Sequence, residues 1–171
     1  MMTTTTPDVR CSAVATLRPL ERGDRGSLLE IFAGLSARSR QLRFLTAKPR
    51  LRESELRTLA EVDQHDHVAI VAISTATGRP IGVGRFVRDA KQRDSADVAL
   101  AVVDAWQGRG IGTQLAHALV ERALEVGVRR FTLVMQPDNH AVLRLLHRWA
   151  GAVTWLDDDP QTLELAVDLD G

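Results

Sequence analysis

The chain has 171 residues, enough for one domain with a buried core, and its 44% apolar and 26% charged composition is that of an ordinary globular protein. Its 22 basic residues balance 22 acidic ones, which argues against a dedicated nucleic-acid binder. One cysteine, Cys11, excludes an internal disulfide and a multi-thiolate metal site; no apolar run approaches the ~20 residues of a membrane span, and the start MMTTTTPDVR lacks a secretory apolar stretch, so a cytoplasmic protein is expected.

Residues 1–10 read as a disordered tail and residues 11–171 as a single domain, with nearly all residues used by the fold and no regulatory domain expected. AVATLRPL (Ala13–Leu20) is a short strand ended by Pro19. Leu28, Ile31, Phe32 and Leu35 recur at helical spacing. Leu42 and Leu45 mark a second short helix closing before Pro49, and Leu56, Leu59 and Val62 a third. HVAIVAI (His67–Ile73) is a continuous apolar run with β-branched residues, the pattern of a strand buried on both faces. STATG predicts a hairpin turn into Arg79–Val87, and Ala96–Asp104 is the most apolar strand. Ile111, Leu115, Leu119 and Val126 share one face of a helix that Gly127 stops. Arg129–Met135 is a strand; Val142, Leu145, Leu146 and Trp149 follow helical spacing behind Asp138 or Asn139, either of which can serve as N-cap. AVTWL, the acidic turn DDDPQ and TLELAVDL close the chain as a hairpin. The whole is a mixed α/β domain without repeats or linkers.

Between Arg38 and Arg57 basic residues outnumber the acidic Glu53 and Glu55, which reads as a solvated helical face. His117, His140 and His147 have no metal-like spacing with other ligands, so no metal is expected. Trp106 and Trp149 read as packing residues, and Cys11 as an incidental thiol.

The segment DAWQGRGIGTQLAHALV (Asp104–Val120) carries Gly108, Gly110 and Gly112 between a strand and a helix. A helix N-terminus offers unpaired N–H groups and the positive end of the dipole, so this turn suits an anion. A nucleotide P-loop needs Lys and then Ser/Thr after its last glycine, but Thr113 and Gln114 follow Gly112. A dinucleotide fingerprint needs Gly or Ala where Thr113 stands and an acidic residue ending the next strand, which instead ends in Met135–Gln136. A third pattern fits: Gln107-Gly108-Arg109-Gly110-Ile111-Gly112, as Gln/Arg-x-x-Gly-x-Gly/Ala.

This pattern resembles the pyrophosphate loop of the GNAT N-acetyltransferase superfamily, and the resemblance extends over about Ala13–Leu169. The segments LSARSRQLRFL, VDQHDHVAIVA, IGVGRFVRD and ADVALAVVDAWQGRGIG are most similar to bacterial GNAT protein lysine acetyltransferase domains. The resemblance implies an α+β fold with a mixed, mostly antiparallel sheet of about seven strands and flanking helices. It implies acetyl-CoA as cosubstrate, without metal. Backbone contacts to the cofactor arm are implied for Val102 and Val103, and pyrophosphate contacts for Gln107, Gly108, Arg109, Gly110, Ile111, Gly112 and Thr113. The N–H near Val102 would also stabilise the oxyanion. Arg109 would reach a phosphate or remain a solvated loop residue, and Asn139 would touch the cofactor arm or act only as a cap.

The implied reaction is attack of an amine on the acetyl thioester. An amine of pKa ~10.4 is protonated at neutral pH, so a base is needed. Asp97 stands where lysine-acetylating relatives carry a glutamate and is the leading candidate, acting through a water; Asp63, His65 and His67 are alternatives. Many superfamily members use a tyrosine to protonate the leaving thiolate. This chain contains no tyrosine and has Leu146 there, which fits both the lysine acetyltransferases that lack it and a non-catalytic acyl-CoA binder. The early basic segment would border the acceptor side. The expected acceptor is a protein lysine ε-amine, with a small-molecule amine second. Neither nucleic acid nor membrane is an expected partner, and monomer and homodimer both stay open.

Overall fold

A computed structural model describes residues 10–149 and 153–169, the side chains of Arg10, Cys11, Trp149 and Asp158 excepted. The expected tail therefore lies, Arg10 aside, outside the described residues, as does the packing role of Trp149.

One sheet runs through the molecule in the order β1-β2-β3-β4-β5-β6-β8-β7. Its strands are β1 (Arg10–Cys11), β2 (Ala15–Pro19), β3 (His67–Ser74), β4 (Pro80–Arg88), β5 (Ser95–Val102), β6 (Arg130–Met135), β7 (Val153–Asp158) and β8 (Leu163–Asp168). Seven of them are the strands expected from the sequence; β1 is the addition, a two-residue pairing on β2. All neighbours are antiparallel except β5 and β6, which are joined by a crossover helix.

The helices are α1 (Arg25–Ala33), α2 (Ala37–Phe44), α3 (Glu53–Ala60), α4 (Ile111–Glu125) and α5 (His140–Leu146). Asp24 caps α1 and Ser36 caps α2, each accepting from the backbone N–H three residues on. The helix predicted to run through Trp149 instead tightens into a 3-10 turn at His147–Trp149.

Even-numbered residues of the central strands (Val68, Ile70, Phe86) pack under Leu115 and Leu119 of α4. Odd-numbered ones (Ala69, Val71, Val83) pack against Leu28 and Ile31 of α1 and Leu56 of α3. α4 approaches closely because β4 offers glycines beneath it: a Cβ on Gly84 would stand 2.7 Å from Leu100 Cδ2 and 2.8 Å from Leu119 Cδ1. A third, smaller cluster joins α5 to β6 and β8 through Leu146, Met135 and Leu165.

Candidate active site

β5 and β6 pair over Ser95–Asp97 and Arg130–Thr132 only. Beyond Asp97, β5 stays with β4 as far as Val102 opposite Gly82, while β6 stays with β8 as far as Met135 opposite Leu163. Each strand thus follows its own half-sheet, and a cleft of about 320 Å³ opens between them. Val98–Val102 form one wall, Leu133–Met135 the other; Leu42 and Arg43 of α2 and Leu146 of α5 line it as well.

The Val103 N–H donates to the Ile81 carbonyl at 2.9 Å, so alternation along β5 turns the amides of Val98, Leu100 and Val102 away from β4 and toward the cleft. Gln107 Nε2 donates to the Val102 carbonyl at 3.0 Å, leaving the Val102 N–H aimed into the opening. Val103 differs: its N–H is spent on Ile81 and its carbonyl accepts from Trp106 N at 2.8 Å. Of this pair, Val102 alone offers a backbone donor.

The glycine turn lies at the mouth. Gly108 and Gly110 have φ of +74° and +82°, conformations that L side chains rarely adopt, while nothing stands within 4 Å of a Cβ at either. They set the path of the backbone rather than relieve crowding. Gly110 caps α4 without any side-chain hydrogen bond, so the first N–H groups of the helix, at Ile111, Gly112 and Thr113, are left to an anion. Ile111 is itself buried in the core and contributes only its backbone. The Arg109 guanidinium lies 4.7 Å over the Trp106 ring, beside the mouth and within the same loop. Asn139 is buried on the cleft wall; its Oδ1 caps α5 by accepting from Val142 N at 3.3 Å, and no described residue holds its side-chain nitrogen.

Asp97 stands at the last β5–β6 pair, at the apex of the opening. Its carboxylate is exposed and accepts the Thr132 hydroxyl. The alternative bases are committed elsewhere. Asp63 Oδ1 accepts from the N–H groups of His65, Asp66 and His67 at 2.8–2.9 Å; burial works to raise its pKa, but these bonds outweigh it and hold the carboxyl below its usual value. His67 donates Nδ1–H to the Glu61 carbonyl at 3.0 Å and accepts at Nε2 from Arg85 at 3.0 Å. Burial first, and the Arg85 charge second, hold its pKa below the usual histidine value. His65 pairs with Asp66 at 2.8 Å.

Two residues at the site were not singled out from sequence. Arg43, read as part of a solvated face, lines the cleft, and burial pushes its pKa down to about 10. Arg85 is buried in β4; burial, and then the Arg43 charge, push it down to about 9. The available signal was a charge in the middle of a strand whose neighbours Val83 and Phe86 are core residues. Among the described residues no three His, Cys, Asp or Glu gather as a metal site would require, and no helix is long and apolar enough to cross a membrane.

A split sheet, cleft-facing amides on one strand and an uncapped glycine-led helix at the mouth make a site suited to an extended ligand that carries an anionic group. The acetyltransferase (GNAT) family profile matches residues 35–152, and the chain belongs to that family. It is 37% identical over 153 residues to acetyltransferase Pat of Mycolicibacterium smegmatis, covering 90% of this chain and 45% of that protein. The GNAT domain of PAT from S. lividans superimposes with a TM-score of 0.79 at 28% identity, covering 90% of each chain. A cAMP-binding acyltransferase from Mycobacterium smegmatis superimposes at 0.64 and 30% identity, covering 97% of this chain and 48% of that one. The chain thus spans about half the length of the mycobacterial relatives.

Proposed function

We propose that this chain transfers acetyl from acetyl-CoA to a primary amine, a protein lysine ε-amine being the first choice of acceptor. The observation that carries the reading is the run of cleft-facing amides on β5 that leads to the uncapped start of α4. This arrangement fits the cosubstrate: the cleft-facing end of β5 lies along the pantetheine arm, and the N–H groups of Ile111, Gly112 and Thr113 meet the pyrophosphate. The thioester supplies the activated acetyl group.

The residues of the chain then divide the work. The Val102 N–H receives charge developing on the thioester carbonyl oxygen. Asp97 accepts the proton of the attacking amine through a water, since aspartate is one methylene shorter than glutamate. Leu146 lines the cleft without a proton to give, so the leaving thiolate, of pKa ~8.5, departs without a general acid there. Similarity to proteins named Pat supports the lysine acceptor. The same Leu146 fits equally the second reading, an acyl-CoA-binding protein without turnover.

Titration calorimetry with acetyl-CoA, against ATP and NAD, tests the cofactor assignment, and an amine panel tests transfer. Micromolar binding of acetyl-CoA alone, with transfer to lysine peptides, is expected. Transfer confined to small amines changes the acceptor class, binding without transfer selects the second reading, and no binding removes the proposal.

A further inference from the structure

Arg85 is 5% exposed, and the described residues hold only its Nη1, which donates to the Leu59 carbonyl at 2.9 Å and to His67 Nε2 at 3.0 Å. Arg85 lines a small cavity that Arg43 also lines. Arg43, Leu35 and Ala101 border both this cavity and the main cleft, so the two spaces meet at them. No carboxylate among the described residues reaches either guanidinium. The nearby acids are engaged elsewhere: Glu53 with Arg25, Glu55 with Lys48 and Arg52, Asp63 with backbone N–H groups. Arg85 is enclosed and Arg43 half-buried beside it, its guanidinium over the Phe44 ring; holding two cations close together without a counter-charge is costly, and an arriving anion relieves that cost.

We propose that Arg43 and Arg85 bind a carboxylate carried by one of the two reactants, either the distal carboxylate of a dicarboxylic acyl-CoA or the carboxylate of the amine acceptor. The cavity of about 30 Å³ accommodates the two oxygens of such a group, a water needing about 10–15 Å³ on the same scale. Guanidinium forks match carboxylate geometry. In the β4–β5 register Arg85 stands opposite Ala99 and Val87 opposite Asp97, so Arg85 and Asp97 share a sheet face as diagonal neighbours two register positions apart. A reactant whose amine meets Asp97 therefore has its far end within the reach of the arginines. The inference rests on the acyl-transfer reading above; with a dicarboxylic donor the bond changes stay the same, C–S breaking, C–N forming and the amine proton passing to Asp97.

The site itself is tested on the full chain without turnover. Succinate is expected to raise the melting temperature by about 2 °C or more while neutral succinamide does not, and Arg43→Met is expected to abolish the difference. Arg43→Met leaves the Leu59 and His67 bonds of Arg85 in place, so it spares the buried partner. No carboxylate-specific rise in the parent chain, or an equal rise in Arg43→Met, overturns the site. The source is read from kcat/KM. Succinyl-CoA against acetyl-CoA with lysinamide tests the donor, and free lysine against lysinamide with acetyl-CoA tests the acceptor. One ratio is expected to favour the carboxylate by about tenfold to a hundredfold and to collapse in Arg43→Met. Both ratios near one overturn the role in reactant choice. Absence of calorimetric acetyl-CoA binding instead marks failure of the acyl-transfer reading, and the melting experiment still decides the site.

Discussion

Asp97 keeps its carboxylate at the apex of the split between β5 and β6, with the Thr132 hydroxyl donating to it. Asparagine preserves that acceptor and removes the basicity. Asp97→Asn is therefore expected to lower kcat/KM by about 10²–10⁴-fold while calorimetric acetyl-CoA affinity stays the same. Unchanged transfer would remove Asp97 as the base. His67 supplies a stability test of the buried arginine. Its pKa is depressed in the fold from 6.5, so the unfolded chain binds the proton more readily. Its contribution is fully present above pH ~6.5 and is lost as the pH falls toward the folded pKa. Asp63, also depressed, loses its contribution only below the ordinary carboxylate range, so the two windows separate. Urea midpoints measured from pH 7.5 down to 5 are expected to fall more steeply in the parent chain than in His67→Gln; equal slopes would refute the neutral His67–Arg85 contact.

At the scale of elements, glycines separate packing from binding. Gly34 ends α1 against Val103, the residue after β5, where an added Cβ would stand 2.6 and 2.9 Å from the two valine methyls. Valine is stiff about χ1 and cannot turn both methyls away. Gly34→Ala is expected to destabilise the fold by about 1–3 kcal/mol in urea unfolding. Gly112, in the first turn of α4, faces open space: a Cβ there would lie 3.9 Å from Val102 Cγ2, an ordinary contact. Gly112→Ala should leave the melting temperature at or above that of the parent, because alanine favours helix. The methyl enters the cleft, so acetyl-CoA binding is expected to weaken by about tenfold, or about 1.4 kcal/mol. The same stability loss in both variants would show that Gly112 serves packing instead.

The whole molecule is two half-sheets held at the centre by a short parallel pairing, Ser95–Asp97 with Arg130–Thr132. α2 also bridges the two sides of the cleft, Arg38 pairing with Asp138 in front of α5 and Ser39 accepting from Gln107 Nε2 at 3.4 Å. A ligand contacting both halves adds its binding free energy to the folded state alone. Acetyl-CoA at a hundred times its Kd contributes about 2.7 kcal/mol, which at this chain length corresponds to a rise in melting temperature of about 5–10 °C. Differential scanning fluorimetry reads this directly. An absent shift with acetyl-CoA would contradict a site lying between the halves.

Local physics made much of this legible in the sequence. Alternating and continuous apolar runs place the seven longer strands, period-3.6 spacing places the helices, and the glycines before Ile111 announce a helix start left open to an anion. These features depend on neighbours along the chain. The departures are non-local. Pairing between β5 and β6 stops at Asp97 because each strand keeps its other neighbour, β4 or β8. The Val103 N–H is taken by Ile81, a residue more than twenty positions away, so the two valines of one dipeptide face different partners. Arg43 and Arg85 come from a helix and a strand more than forty residues apart, and only the packing of α1 over β4 and of α2 over β5 brings them to one cavity. Backbone conformation and amphipathic spacing are settled within a few residues, so the sequence by itself determined the elements and the mouth of the cleft. Hydrogen-bond partners and the desolvation of charge depend on which surfaces meet, so only the tertiary structure decided the cleft walls and the burial of Arg85 beside Arg43.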